Sequence, residues 1–378
     1  MSPEFDQAPS PCYLLELAKL RANLELIDRV QRETGCTIIL ALKGFAMWSA
    51  FPLVGEYLSG CSASSYNEAR LARERFGGHV HLYAPAYTEG EFPSLLALSD
   101  RISFNSLGQW LRFAAQARET GISCGLRVNP LINEVATALY NPSGLQSRLG
   151  IPPEEVADGL PEGVEGLHVH ALCESGAEST ERLIQAVEHH YGHLLPGLKW
   201  FNLGGGHLMT RPGYEVERLI RVLRGFRGRH PHLEVVLEPG SAIAWRTGPL
   251  IATVLDIIER GGVRIAMLDV SATAHMPDVL EMPYRPEVRG GGEPGTKAYS
   301  YRLGGLTCLA GDVIGDYAFD HELQPGERVI FEDMIHYTMV KTTMFNGVQH
   351  PAIALQHENG EIEVVRRFEY RDYESRLS

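Results

Sequence analysis

Eight short apolar, β-rich runs along the first 240 residues, with segments of helical spacing between them, constrain this chain more than any other feature. The runs are IILAL (38–42), GCSAS (60–64), VHLYA (80–84), ISFN (102–105), CGLRVN (124–129), GLHVHA (166–171), KWFNLG (199–204) and EVVLEP (234–239). Segments such as SYNEARLARERF and ESTERLIQAVEHHYGHLL lie between them, with apolar residues three or four positions apart. Strand then helix, repeated in this way, predicts an α/β fold with a closed (β/α)8 TIM barrel over 10–240 in preference to an open doubly wound sheet. After Pro239 the texture changes. AIAWRTGPLIATVLDIIE, IAMLDVS, RVIFEDM and PAIALQHENGEIEVV read as strands with turns, so 241–378 is expected to form a C-terminal mostly β domain, with the first few N-terminal residues packing on it. RPEVRGGGEPGTK (285–297) is its most loop-like segment and reads as mobile.

Charge narrows the function. With 34 basic against 47 acidic residues the formal charge is -13, a poor match for a phosphate backbone and a better one for a small cationic substrate. The six cysteines, at 12, 36, 61, 124, 173 and 308, form no C-x-x-C pair and are too sparse for a disulfide scaffold. They read as apolar fillers in a reducing compartment. The N-terminus lacks a basic start and an apolar stretch, and no window approaches the ~18 apolar residues of a membrane span. A cytoplasmic protein is expected.

A barrel of this kind carries its site at the C-terminal ends of its strands. Those ends read Lys43, Ser64, Arg127, His170, Gly204 to Gly206 and Glu238. A strand-end lysine is ordinarily a snorkelling surface side chain. In a partly apolar mouth its pKa falls, which suits it to condense with an aldehyde. NLGGGH (202–207) is either a tight turn or a phosphate cradle, and Gly240 of EPGSA stands at the next strand end to close the same cup. Glu238 is a capping carboxylate or the partner of a pyridine nitrogen, where it would keep the ring protonated. An aldehyde, a phosphate and a pyridine together describe pyridoxal 5'-phosphate. His170 is placed to stack on a flat cofactor, although His168 shares its side of the strand; the position nearer the strand end favours His170. Arg127 is either an ion-pair partner or a donor to the cofactor's phenolic oxygen.

With these residues in place the chain resembles the alanine racemase-like (fold type III) pyridoxal phosphate enzymes. Within them it is similar to the decarboxylases of ornithine, arginine and diaminopimelate, and to the branch that decarboxylates carboxynorspermidine and carboxyspermidine. ALKGFAMWSAFPLV, CSASSYNEA, LRVNP, YNPSGLQSRLGI, GLHVHALCE, NLGGGH, LEPG, GGLTCLAGDVIGDY and EDMIHYTMVKTTMFNG carry the resemblance from end to end. It implies Lys43 as the lysine that bonds the cofactor, His170 on its ring, Glu238 at its nitrogen, and Gly205, Gly206, Gly240 and Tyr337 at its phosphate. It also implies that Cys308, with Asp312 and Asp316 in the same segment, enters a partner subunit's active site in a head-to-tail homodimer. Cys308 would then be catalytic, and Asp312, Asp316 and Glu238 would serve substrate recognition. From its own surroundings in the sequence, Cys308 reads instead as a buried thiol.

The departures bear on substrate. Diaminopimelate decarboxylases show an HIGSQ-like segment and an arginine after EPG, whereas this chain has HALCE and Ser241. A distal amine fits better than a distal carboxylate. The resemblance therefore implies decarboxylation of carboxynorspermidine or carboxyspermidine to norspermidine or spermidine, with no metal. The alternatives are a decarboxylase of another basic amino acid, a racemase, a non-catalytic pyridoxal phosphate-binding relative, and a phosphosugar-binding barrel.

Overall fold

A computed structural model of the protein describes residue 5 and residues 7–135 and 141–378. Tyr140, the first residue of the YNPSGLQSRLGI motif, and most of the first few N-terminal residues lie outside the described residues. The chain divides into two compact units, Arg21–Ile243 and Met1–Leu20 with Ala244–Ser378.

The first strand, β1 (Cys12–Glu16), belongs to the second unit. The first unit holds β2 (Thr37–Ile38), β3 (Leu40–Ala41), β4 (Gly60–Ala63), β5 (His79–Tyr83), β6 (Arg101–Phe104), β7 (Ser123–Arg127), β8 (Gly166–His168), β9 (Trp200–Asn202) and β10 (Glu234–Leu237). All pair in parallel, in the order β2-β10-β9-β8-β7-β6-β5-β4-β3. Only Ile39 separates β2 from β3, and its N–H donates to Leu237 O at 2.9 Å. The run read as one strand thus pairs with β10 through its first half and with β4 through its second. That closes the barrel.

The helices form where caps and apolar spacing agree. Ser106 Oγ accepts from Gln109 N–H at the start of Leu107–Glu119, which buries Trp110, Phe113, Ala114 and Ala117 on one face. Ser65 caps Tyr66–Leu71 in the same way. In the barrel wall, Gly125 and Gly166 make room for the Trp200 indole; a Cβ would lie 2.3 Å and 2.0 Å from it.

The second unit contains the sheet β14-β13-β12-β11-β1-β16-β17, with β15 pairing β11. Its later strands are β11 (Leu250–Arg260), β12 (Val263–Leu268), β13 (Tyr299–Gly304), β14 (Val313–Phe319), β15 (Arg328–Phe331), β16 (Ala352–Gln356) and β17 (Ile362–Arg366). Gly261 and Gly262, at φ 58° and 82°, supply the hairpin turn between β11 and β12. Phe5 and Ala8 pack with Cys12, Leu14 and Ile251, and Arg328 donates to the carbonyls of both.

Two features differ from the sequence expectation. Residues 12–20, placed there in a barrel over 10–240, go with the sheet unit, because all five residues of β1 are buried between β11 and β16. The 285–297 segment is not a free loop. Arg289 N–H donates to Ile330 O, Gly292 and Ala318 exchange backbone hydrogen bonds, and Arg285 donates to Asp316 O, so the segment is laced to β14 and β15.

Candidate active site

The C-terminal ends of the barrel strands bring the expected residues of the first unit together. Lys43 stands two residues beyond β3, Arg127 ends β7, His168 ends β8 with His170 two residues on, Asn202 ends β9 before the glycine loop, and Glu238 follows β10. Lys43 is half-buried, and its Nζ lies 3.4 Å from His170 Nε2. Burial pulls the lysine amine below its ordinary range; the Glu238 carboxylate opposes this and the Arg127 guanidinium adds to it. Burial, with the charges of Lys43 and Arg127, pushes His170 well below the usual imidazole range. Its Nδ1 accepts from Gly205 N–H at 2.9 Å, so the neutral ring carries its proton on Nε2, facing the lysine.

Glu238 is buried. Its Oε2 accepts from Asn202 Nδ2 at 3.1 Å, and His168 Nε2 lies 3.0 Å from Oε1. Burial alone would raise its pKa, but His168, His81 and Lys43 outweigh it and hold the carboxyl well below the usual range. An ionised carboxylate therefore sits at the base of the mouth. Arg127 lies over the Tyr83 ring at 4.5 Å and donates to His170 O at 3.1 Å. His168, passed over in favour of His170, is the histidine that faces Glu238.

The glycines fit a cradle. A Cβ on Gly205 would meet Glu238 O at 2.6 Å, one on Gly206 would meet Leu172 O at 2.2 Å, and one on Gly240 would meet Gly44 Cα at 3.0 Å. Gly206 also sits at φ 88°. The N–H groups of Gly206 and Gly240 donate to no acceptor among the described residues. A half-buried amine of lowered pKa, a buried carboxylate, a fixed imidazole and a glycine cradle with unengaged donors match pyridoxal phosphate group by group.

The remaining expected residues lie in the sheet unit and are described there. Cys308 is exposed, in contrast to the buried thiol read from its local sequence, because its loop projects beyond β13; its N–H donates to Asn346 Oδ1 at 2.8 Å. Asp312 is buried and accepts from Thr307 N–H (3.1 Å), Thr307 Oγ1 (2.6 Å) and Thr273 N–H (3.3 Å), so it braces the 305–312 loop. Asp316 is gripped by Arg302 through bonds of 2.8 and 3.0 Å across the β13–β14 pair. Both carboxylates were expected to meet substrate, and both are engaged within the sheet. Tyr337 is half-buried at φ 48°, edge-on to His336.

Sequence reasoning missed Asn202, His81 and Ser103. The available signal was a polar residue inside an apolar strand, as in VHLYA and ISFN, and an asparagine directly before three glycines. Among the described residues no cluster of side chains suits a metal ion, and no helix is long and apolar enough to cross a membrane.

Comparison with known proteins agrees with this geometry. Residues 26–335 match the family described as "Pyridoxal-dependent decarboxylase, C-terminal sheet domain". The chain is 52% identical to a carboxyaminopropylagmatine decarboxylase of Synechocystis sp., covering 100% of this chain and 97% of that protein. It is 42% identical to a carboxynorspermidine/carboxyspermidine decarboxylase of Campylobacter jejuni, covering 98% and 99%. Among solved structures, Campylobacter jejuni carboxynorspermidine decarboxylase complexed with norspermidine matches with TM-score 0.90 at 41% identity, over 97% of this chain and 99% of that one. Helicobacter pylori diaminopimelate decarboxylase shares the fold, with TM-score 0.80 at 18% identity over 99% of both chains.

Proposed function

This chain belongs to the pyridoxal-dependent decarboxylases, and from that premise we propose that it removes the α-carboxylate from a polyamine precursor with a carboxylated aminopropyl head, as in carboxynorspermidine and carboxyspermidine. The product is the corresponding polyamine, norspermidine or spermidine. The observation that carries this reading is the meeting of Lys43, His170 and an ionised Glu238 at one end of the barrel. Named relatives matched over nearly their whole length support the polyamine branch.

Pyridoxal phosphate, when bound, supplies an aldehyde that takes the substrate's amine and a ring that accepts the electron pair left when CO2 departs. Lys43 would hold the aldehyde carbon and yield it to the substrate's α-amine; its lowered pKa makes the neutral, nucleophilic amine available. Glu238, ionised and buried, would hold a proton at the ring nitrogen. His170, anchored by Gly205 N–H, would support one face of the ring, and Arg127 would stand beside its phenolic oxygen. Gly205, Gly206 and Gly240 would hold the phosphate. For each CO2 lost, the α-carbon gains one proton.

A carboxyaminopropylagmatine preference is the second reading, favoured by the 52% identity to an enzyme so named. That precursor shares the carboxylated aminopropyl head and ends in a guanidinium in place of an amine. We further place the enzyme in the cytoplasm as a homodimer, with the Cys308 loop reaching the partner's site; exposed Leu306, Leu309 and Phe345 on the same unit support an interface.

The test is CO2 release from carboxynorspermidine, carboxyspermidine, carboxyaminopropylagmatine, ornithine and diaminopimelate, compared as kcat/KM. A carboxylated aminopropyl substrate should lead by at least tenfold. Ornithine or diaminopimelate in the lead would overturn the reading. Light scattering tests the dimer, and a monomeric enzyme with full activity would exclude a shared site.

A further inference from the structure

Behind Glu238 lies a polar network that the proposed chemistry does not use directly. Asn202, Ser103, His81 and His168 are all at most 1% exposed, yet their side chains come from β9, β6, β5 and β8. Strands that are not neighbours in the sheet contribute groups that touch, so these side chains point into the barrel interior. A buried polar group without a partner is costly, and Asn202, His81 and Ser103 meet that demand by bonding to one another and to Glu238.

Asn202 fixes that arrangement. Gly204 N–H can only donate, and it points at Asn202 Oδ1 at 2.8 Å. The amide oxygen therefore faces the glycine loop, and the nitrogen must face the other side. There Nδ2 meets Glu238 Oε2 at 3.1 Å and His81 Nδ1 at 2.9 Å. A nitrogen that receives this N–H must be unprotonated. His81 thus carries its proton on Nε2 and donates it to Ser103 Oγ at 2.9 Å. A doubly protonated His81 would turn an N–H against the Asn202 amide, and burial opposes that form by pulling His81 down to about 3.

We propose that Asn202 is a positioning residue that fastens the glycine loop at 204–206 to the carboxylate of Glu238, with His81 and Ser103 backing it and His168 as the carboxylate's second partner. The consequence is geometric. The glycine loop that would take the cofactor's phosphate and the carboxylate that would face its ring nitrogen follow two different strands, β9 and β10, and one amide links them. It also presents a donor to Glu238, so the carboxylate is ionised and aimed without the cofactor's help. This inference rests on the pyridoxal phosphate reading above.

The experiment uses full-length apoprotein of wild type, Asn202→Asp and Asn202→Leu. Each is titrated with pyridoxal 5'-phosphate by equilibrium dialysis at pH 6 and pH 8.5, and its thermal denaturation is recorded. The charged and titratable groups facing Glu238 are Lys43, His81, Tyr83, Arg127, His168 and His170; all are common to the three proteins, so effects are read as ratios to wild type. Asn202→Leu should weaken binding by about tenfold or more at both pH values, since it removes a donor to a charged, buried acceptor. Asn202→Asp keeps an acceptor for Gly204 N–H but sets a second carboxylate beside Glu238. The pair takes up a proton at low pH and then presents a donor as the amide does, so the variant's deficit should grow about tenfold between pH 6 and pH 8.5. A merely structural asparagine gives no such pH signature. A folded Asn202→Leu within threefold of wild type, or an Asn202→Asp ratio flat with pH, overturns the inference while leaving the cofactor reading intact. Wild-type protein that takes up no pyridoxal phosphate at either pH overturns both.

Discussion

Gly205→Ala is the smallest change that tests the cradle. Gly205 does not need a positive φ, so the cost comes from contact alone. The added methyl would lie 2.6 Å from Glu238 O and 3.3 Å from His170 Cε1. A carbon and a carbonyl oxygen ordinarily approach to about 3.3 Å, so roughly 0.7 Å must be found. The obstacle is backbone, not a flexible side-chain tip. Glu238 N–H donates to Gly204 O at 2.9 Å and Leu203 N–H to Val236 O at 2.8 Å, which ties the loop to the end of β10 on both sides. Overpacking of this kind costs about 1–3 kcal/mol. In a unit of this size each kcal/mol lowers the melting midpoint by about 2–4 °C. The shift also pulls Gly205 N–H from His170 Nδ1 and separates Gly206 from Gly240, so affinity for pyridoxal phosphate should drop by about tenfold or more. Gly228→Ala is the matched control: it lies in the helix Val216–Arg229 with nothing within 4 Å of its Cβ, and should stabilise by about 0.5–1 kcal/mol. Thermal denaturation and cofactor dialysis on both variants provide the comparison. If Gly205→Ala melts within 1 °C of wild type, in order-of-magnitude terms below the smallest cost above, and binds cofactor equally well, the cradle is not packed as argued.

Lys43→Ala should release no CO2 from any substrate of the panel while keeping its far-ultraviolet circular dichroism; turnover at the wild-type rate would refute the lysine's role. His207 is buried and its pKa is lowered to about 4 by burial. The unfolded chain therefore binds the extra proton between about 6.5 and 4, and the associated stability, full above about 6.5, is lost as pH falls through that window. Between pH 7 and pH 5 the loss from this one group is about 2 kcal/mol, and His207→Gln should flatten the urea-midpoint profile accordingly; an unchanged slope would refute the assignment. Asp312→Ala removes the acceptor of Thr307 and Thr273 and should cost the 305–312 loop about 2–4 kcal/mol of local stability, read as faster hydrogen exchange there. Exchange equal to wild type would show that the loop is braced by other contacts.

Strand ends were legible because a parallel barrel writes each strand as a short apolar run, and its chemistry is concentrated just past the last apolar residue. Lys43, Arg127, His170 and Glu238 all stood at such positions. The first strand of the sheet unit was not legible in the same way. CYLLE is a short buried run like any barrel strand, and nothing local says that its partners are Ile251 and Ala352, more than 200 residues away. The grip on Asp316, which the resemblance assigned to substrate recognition, was hidden for a similar reason: its cross-strand partner Arg302 is fixed by the register of β13 on β14, which the sequence does not print.

The polar interior shows a different limit. Alternation along VHLYA tells which residues share a side with His81, but not that this side faces Asn202, since β5 and β9 are separated by three intervening strands and meet only when the barrel closes. At the seam, Ile39 is where pairing passes from β10 to β4, and Ala41 N–H continues the contact by donating to Pro239 O at 3.1 Å. A substitution that straightens that point need not touch Lys43 or Glu238 to disturb them. It would alter how β2 and β3 sit against β10, whose end carries Glu238, and so move the lysine relative to the carboxylate. Ile39→Pro removes the N–H that donates to Leu237 O and should therefore weaken cofactor binding as well as lower stability. Ile39→Val keeps that N–H and the apolar contact, and should cost only about 0.5–1.5 kcal/mol with affinity unchanged. Loss of affinity in Ile39→Val to the same degree as in Ile39→Pro would mean that the side chain, and not the closing hydrogen bond, sets the geometry between the lysine and the carboxylate.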